Sequence, residues 1–261
     1  MNESVTIITI CYNARLIIEK TIESVVGQDY MSFEYIVVDG GSSDGTVDII
    51  EKYSGKISHW VSEPDLGIYD AMNKGVKLST GQWIIFMNAG DSFYNSSVLS
   101  RLFSGSSWDG VDAIYGNVNM IYDNWSLVQY PANIDILNNR MPFSHQAIFV
   151  RSILLQENPF SLDFRIASDY NFFYMMYKRN CKFLYVDVII SNYDAVGGIS
   201  AQNYLLAKKE NSIINGSANT LKGKIEYFLF YLKIKSISLL PPTFYQFIRR
   251  IKRNVYAIIA N

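Results

Sequence analysis

The stretch Ser62-Glu63-Pro64-Asp65-Leu66-Gly67-Ile68-Tyr69-Asp70-Ala71-Met72-Asn73-Lys74-Gly75, followed at once by Phe86-Met87-Asn88-Ala89-Gly90-Asp91, decides how this chain is read. Ile68, Met72 and Val76 recur at i, i+4 and i+8, which predicts a helix with one apolar face. Asp65 is placed to cap its first turn, and Gly81 lies just past its end. Trp83 to Met87 is a continuous apolar run, the pattern of a strand covered on both faces. The order is therefore loop, helix, buried strand, then a carboxylate at the strand's C-terminal end. Open α/β sheets place their ligands there. The plainer alternative is a surface helix followed by one solvated aspartate.

Outward from this segment, strands and helices alternate. Val5 to Ile10 is a β-branched strand, and a helix follows with Ile18, Ile22, Val25 and Val26 on one stripe. Glu34 to Val38 is a second strand, a short helix runs from Thr46 to Tyr53, and Ile57 to Val61 is a third strand. Alternation of this kind predicts an α/β, Rossmann-like fold with a mainly parallel central sheet flanked by helices. From Asp112 the pattern changes. Ala113–Met120 and Ser126–Tyr130 flank a turn at Asp123-Asn124, and a strand follows at Ala147–Val150. A helix over about Ser168–Arg179 and a strand at Phe183–Ile190 complete this half. Residues 1–110 are expected to bind a nucleotide and 111–220 an acceptor, with 221–261 as a C-terminal helical extension.

Composition narrows the class. With 261 residues, 49% hydrophobic and 18% charged, the chain suits one large α/β domain plus that extension. A net charge of −1 provides no field to recruit nucleic acid, so none is expected as a partner. Cys11 and Cys181 are the only cysteines and form no CxxC, which fits a reduced cytoplasmic protein. With only His59 and His145, a His/Cys zinc site is not expected. The N-terminus enters a strand directly, without the pattern of a secretory leader, and no apolar run reaches the ~18 residues of a membrane span.

Four clusters can carry chemistry. Asp39-Gly40-Gly41-Ser42-Ser43-Asp44-Gly45 follows a buried strand; its glycines permit close approach, and its carboxylates can accept hydrogen bonds from a base or ribose. It lacks the GxGxxG order and the P-loop lysine, and by itself it also reads as a plain turn. Thr9-Ile10-Cys11-Tyr12-Asn13 ends the first strand beside it; Tyr12 can stack on a base and Asn13 can cap the next helix. Asp91 is a candidate ligand for a divalent cation neutralising a diphosphate leaving group, or else a turn aspartate. Ser168 and Asp169 open a helix, where either serves as N-cap and where a carboxylate is held as a general base.

Taken in order, these segments resemble the family 2 glycosyltransferases of GT-A fold, of the kind that assemble bacterial exopolysaccharide and O-antigen, the colanic-acid-type enzymes included. The likeness covers about residues 4–200. It rests on Ile8–Asn13, Val37–Thr46, Ser62–Asp65 through Asn73-Lys74-Gly75, Met87–Asp91, Ser144-His145-Gln146-Ala147, Ser168-Asp169-Tyr170 and Gly197-Gly198-Ile199-Ser200. The resemblance implies that Thr9, Tyr12, Asn13, Asp39 and Asp44 bind the nucleoside, while Asp65, Asn73 and Lys74 line the nucleotide-sugar cleft. It implies Asp91 as the last acid of a DxD-like motif holding Mg²⁺ or Mn²⁺, and Asp169 as the base of an inverting transfer. His145, Gly197 and Gly198 would border the acceptor site.

One departure bears on the cation. Ala89 and Gly90 stand where the family often carries another aspartate, leaving Asp91 alone. The implied activity is inverting transfer from a nucleotide-sugar to a saccharide acceptor linked to polyprenyl diphosphate. The alternative is a non-catalytic member that binds nucleotide-sugar or scaffolds an assembly complex. Residues 222–253 carry eight basic residues against Glu226, interleaved with Ile225, Phe228, Leu229, Phe247 and Ile248. That pattern predicts peripheral docking on the inner face of the cell membrane, or else helices packed back on the domain with a solvated basic face.

Overall fold

The computed structural model describes residues 3–122, 125–195 and 203–238. The chain divides between 202 and 203 into two compact units.

The first unit is built on a nine-stranded sheet. β1 (Val5–Cys11) is buried along its whole length, as its β-branched run requires. It pairs in parallel with β2 (Phe33–Asp39) on one side and β4 (Trp83–Phe86) on the other, and β2 pairs in parallel with β3 (His59–Ser62). The register sets Cys11 beside Asp39 and Asp39 beside Ser62. All four strands therefore end at one edge, and the loops that follow them converge there.

The expected parallel order holds for these four strands. The other half is mixed: β8 (Ile148–Arg151) runs antiparallel to β4 and to β6 (Ala113–Tyr122), while β9 (Phe183–Asp194) runs parallel to β6. β7 (Trp125–Gln129) pairs antiparallel with β6, and the two-residue β5 (Ser92–Phe93) pairs antiparallel with β9. The short β5 brings the chain just after Asp91 against the end of β9.

Three helices cover the nucleotide-side half, and the first and third of them bury most of the predicted stripes, with Val26 and Ile68 half-buried. α1 (Ile18–Val26) buries Ile18, Thr21, Ile22 and Val25; α2 (Thr46–Lys52) buries Ile49 and Ile50. α3 (Ile68–Leu78) buries Tyr69, Ala71, Met72, Gly75 and Val76. It lies close on β1, since a Cβ added at Gly75 would stand 2.5 Å from Ile8 Cγ2. Only glycine permits that approach. α4 (Val98–Phe103) and α5 (Ser152–Glu157) lie outside the sequence reading, and α6 (Ser168–Lys178) matches it.

Three capping expectations need correction; the first is Asn13, since α1 is entered through Ile17 without a side-chain cap and the Asn13 oxygen accepts from Ser43 N. α3 begins after Gly67 without a side-chain cap, and Asp65 instead accepts from Gly67 N at 2.8 Å. α6 is entered through Ala167, and the Ser168 hydroxyl is spent on the Ser161 carbonyl at 2.7 Å.

The second unit holds α7 (Tyr204–Ile214) and α8 (Leu221–Ser238), so the sequence boundary at 220 falls between its helices. No helix among the described residues is long and apolar enough to cross a membrane.

Candidate active site

The loops at the C-terminal edge of β1–β4 are tied together by the polar residues singled out above. Asp39 is fully buried. Its Oδ2 accepts from Gly41 N (3.1 Å), Ser42 N (2.8 Å) and the Ser62 hydroxyl (2.6 Å), while the Ser42 hydroxyl and Cys11 Sγ donate to Oδ1. Burial alone would raise its pKa, but these bonds, from Ser42 and Ser62 foremost, hold it below the usual carboxylate range. Asp39 thus fixes the loop. A base would have to take the place of the Ser42 or Ser62 hydroxyl to reach it.

Asn13 and Asp44 close the same loop. Asn13, with a positive φ of 47°, accepts from Ser43 N at its side-chain oxygen and donates its own N–H to the Ser42 hydroxyl oxygen, 2.7 Å away. Asp44 accepts from Thr46 N and Arg15 N, and the Thr46 hydroxyl is the main cause of its lowered pKa. Over this platform, exposed Tyr12 and half-buried Asp65 converge on Gly40. A Cβ there would lie 2.4 Å from Asp65 Oδ2 and 3.4 Å from the Tyr12 ring. Tyr12, expected to bind the nucleoside, and Asp65, expected to line the nucleotide-sugar cleft, thus meet at this edge.

Other predicted residues turn inward. Thr9 is fully buried; its hydroxyl donates to the Met87 carbonyl (2.7 Å) and lies 3.0 Å from the Tyr35 hydroxyl, so it joins strands. Asn73 exchanges two 2.9 Å hydrogen bonds with the Phe160 backbone, clamping the loop before α6 onto α3. Lys74 donates to the Pro64 carbonyl and pairs with Glu63 at 2.8 Å and Asp70 at 3.7 Å; Glu63 raises its pKa. It holds the Glu63–Leu66 loop in place and does not line the cleft described next. Gly197 and Gly198 lie outside the described residues.

A cleft of about 460 Å³ opens between the two halves of the sheet edge. Asn88, Asp91, His145 and Asp169 line it together, with Tyr69 at its floor and with Lys20, Arg165 and Asp194, three charged residues that the sequence reading did not assign. Asp91 is 8% exposed, and among the described residues no hydrogen bond reaches its carboxylate. Burial first, then the charge of Asp194, push its pKa up to about 8. Asn88, on the same turn, has a buried Oδ1 with no partner. Two under-satisfied oxygen donors suit a hard divalent cation, which can complete its shell with diphosphate oxygens and water. Among the described residues no cluster of three or more His, Cys, Asp or Glu side chains forms a metal cage.

Across the cleft stands Asp169, at the start of α6. Its Oδ1 accepts from the Tyr69 hydroxyl (2.9 Å) and from Tyr170 N (2.8 Å); its Oδ2 lies 3.8 Å from His145 Nδ1. The Asn88 amide nitrogen lies 3.1 Å from His145 Nε2. With that nitrogen donating, Nε2 accepts and the Nδ1 proton faces Asp169. Burial lowers the His145 pKa, against a smaller opposite effect of Asp169, so the ring is neutral at pH 7.

The family model described as Glycosyl transferase family 2 matches residues 6–181, which hold every one of these groups except Asp194. The chain belongs to glycosyl transferase family 2. A PGL/p-HBAD biosynthesis glycosyltransferase of Mycobacterium bovis is 32% identical over 197 residues, 72% of this chain and 75% of that protein. The Escherichia coli UDP-Glc:alpha-D-GlcNAc-diphosphoundecaprenol beta-1,3-glucosyltransferase WfgD is 26% identical over 236 residues, 88% of this chain and 92% of that one. Among solved structures, residues 1–349 of S. aureus TarS in complex with UDP superpose with a TM-score of 0.63 at 20% identity. That match covers 81% of this chain and spans 65% of the TarS piece. The mannosyltransferase PcManGT of Pyrobaculum calidifontis, in complex with GDP-Man and Mn²⁺, superposes with a TM-score of 0.63 at 16% identity, covering 84% and 64%. The shared fold is the GT-A architecture expected from the motifs. This family 2 member is therefore a glycosyltransferase of glycan biosynthesis.

Proposed function

We propose that this transferase moves a sugar, with inversion, from a nucleotide-sugar bearing an α-linked sugar to a saccharide acceptor carried on polyprenyl diphosphate. The observation that carries the reading is Asp169, a carboxylate whose Oδ1 is held by two hydrogen bonds and which lines the same cleft as Asp91. In the reaction, Oδ2 takes the proton of the acceptor hydroxyl as that oxygen attacks the anomeric carbon. The bond to the diphosphate breaks on the opposite side, and a β-linkage forms in a single displacement.

The donor nucleoside is assigned to the edge where Tyr12 and Asp65 are open, above the loop locked by Asp39, Asn13 and Asp44. Asp91, with the Asn88 carbonyl beside it, would hold Mg²⁺ or Mn²⁺. When bound, the cation supplies positive charge to the departing diphosphate. Lys20 and Arg165 line the same cleft and add to that field. His145 borders the acceptor side, as neighbour to the base.

The lipid-linked acceptor is supported by the likeness to WfgD, and peripheral contact with the inner membrane face by α8. Leu221, Ile225, Phe228, Leu229 and Leu232 are exposed on its outer side. On a helical wheel Lys222 and Lys233 flank that stripe on one side, Lys224 and Lys235 on the other. Tyr227, Phe230 and Ile234, half-buried, form the opposite face, so the helix is apolar on two sides and not simply amphipathic. The basic residues from Arg249 to Arg253 lie outside the described residues.

A donor screen tests the function. Purified protein is offered UDP-, GDP- and dTDP-sugars with polyprenyl-diphosphate-linked saccharides, and nucleoside diphosphate release is followed. One donor should support acceptor-dependent release in the wild type. Asp169→Asn should lose about 10²–10⁴ in rate with nucleotide affinity nearly intact, the usual contribution of a general base. Wild-type turnover in Asp169→Asn would remove the base from the mechanism.

A further inference from the structure

Tyr69 lies in the opening segment and hydrogen-bonds the proposed base, and the function stated above gives it no task. It lies in the first turn of α3, the helix that also carries Asp70, Asn73 and Lys74. It is 6% exposed, and its ring packs 5.5 Å from that of Phe160. The Asn73 clamp on the Phe160 backbone fixes that ring in turn. The hydroxyl is therefore held by packing on one side and faces two oxygens on the other: Asp169 Oδ1 at 2.9 Å and the Ile166 carbonyl at 2.7 Å.

A phenol has one proton to give, and both of these oxygens accept. Burial, and then the neighbouring Asp169 charge, raise the Tyr69 pKa, so at neutral pH the group acts as a donor. While Asp169 is ionised, the proton is drawn to the charged oxygen, where a hydrogen bond is roughly twice as strong. Tyr170 N donates to that same oxygen at 2.8 Å. Oδ1 is thereby held by two donors within the protein. Among the described residues Oδ2 has the neutral His145 ring as its neighbour, at 3.8 Å, and takes no hydrogen bond, while Asp169 itself lines the cleft.

We propose that Tyr69 is a positioning residue for transfer: its hydroxyl anchors Asp169 Oδ1, so that Oδ2 alone is presented to the acceptor hydroxyl. This rests on Asp169 being the base. In the step, the acceptor O–H bond breaks, its proton forms an O–H bond on Oδ2, and its electron pair goes to the new glycosidic bond. The bonding pair of the old link leaves with the diphosphate. Once Asp169 is neutral, Oδ1 is the weaker acceptor and the Tyr69 proton turns to the Ile166 carbonyl, 2.7 Å away. The same hydroxyl thus serves the charged base before transfer and a backbone carbonyl after it. The other titratable or charged groups on this cleft are Lys20 on α1, Asp91 after β4, His145 before β8, Arg165 before α6 and Asp194 at the end of β9.

Tyr69→Phe keeps the ring and removes the anchor. Three readouts are compared with the wild type: kcat, the donor KM, and the pH dependence of kcat/KM. We expect kcat to fall about tenfold or more, a part of the 10²–10⁴ a base contributes. Donor KM should stay within about twofold, since the nucleotide is bound elsewhere. The acid limb of kcat/KM should move to higher pH, because a hydrogen bond to the charged form has been lost. A merely structural role would lower kcat, or stability, without moving that limb, and this result overturns the proposal. Wild-type kcat with an unmoved limb overturns it as well. Full turnover in Asp169→Asn is a separate failure, that of the base itself, and is read from a different variant.

Discussion

Replacing Asp91 by asparagine should make the cation-free protein more stable, although it removes a group proposed to serve the reaction. The carboxyl is 8% exposed in the cleft wall, and its pKa is pushed from 3.8 to about 8, chiefly by burial. A folded value above the unfolded one means that stability from this group is complete below about pH 4 and is lost as pH rises toward 8. At pH 7 the unfolded carboxyl has shed its proton while the folded one retains it. Folding must therefore take up a proton about three pH units above the ordinary value, at about 1.4 kcal/mol per unit, or of the order of 4 kcal/mol. Asparagine carries no such term. At roughly 2–4 °C per kcal/mol for a chain of this size, Asp91→Asn should melt about 10 °C higher at pH 7. The two proteins should converge near pH 4. The assay is thermal unfolding from pH 4 to 8, in EDTA, with and without the substitution. Parallel curves across that range would refute the reasoning, because they would mean that Asp91 titrates like a solvated carboxyl.

Three further outcomes follow from the same geometry. EDTA should suppress transfer, and Mg²⁺ or Mn²⁺ should restore it in the wild type but not in Asp91→Ala; full activity in EDTA would assign the diphosphate to Lys20 and Arg165. Gly40→Ala places a methyl 2.4 Å from Asp65 Oδ2, so it should weaken nucleotide binding by several-fold, as read by calorimetry, while Gly55→Ala, with open space around its Cβ, should not. Sedimentation with anionic vesicles at low salt should be lost on Phe228→Asp with Leu232→Asp and reduced by salt, each lysine near the surface being worth about 1 kcal/mol. A protein that stays in the supernatant at low salt would make α8 a structural element.

Much of this was legible before any coordinates. The β-branched run of β1 and the continuous apolar run of β4 announce strands buried on both faces, and the polar ends of β1, β2 and β4 do meet at one edge. What the chain conceals is which polar residues face each other and which face a ligand. Thr9, Asn73 and Lys74 belong to the same ordered motifs as Tyr12 and Asp65, yet their side chains bind Met87, Phe160 and Pro64 backbone. A polar residue in a loop cluster is as often a clamp that satisfies buried backbone groups as a ligand, and spacing alone does not separate the two. The caps failed for a related reason: Asp65 and Ser168 found nearer partners in Gly67 N and the Ser161 carbonyl. β5 was missed because two residues carry no periodicity, although those two bring Asp91 beside the end of β9. Tyr69 reads from sequence only as a helix residue; its burial in the first turn of α3 becomes informative once α6 places Asp169 opposite it.

The central claim is a single displacement in which the acceptor attacks opposite the departing diphosphate with Asp169 taking the proton. The measurement that meets it most directly is the anomeric configuration of the linkage made from an α-linked donor, read by the one-bond and vicinal couplings of the anomeric proton in the NMR spectrum of the product. A β-linkage throughout is the expected result. An α-linkage from the same donor would contradict it, since retention requires a different partner for the anomeric carbon than one acceptor oxygen and one base.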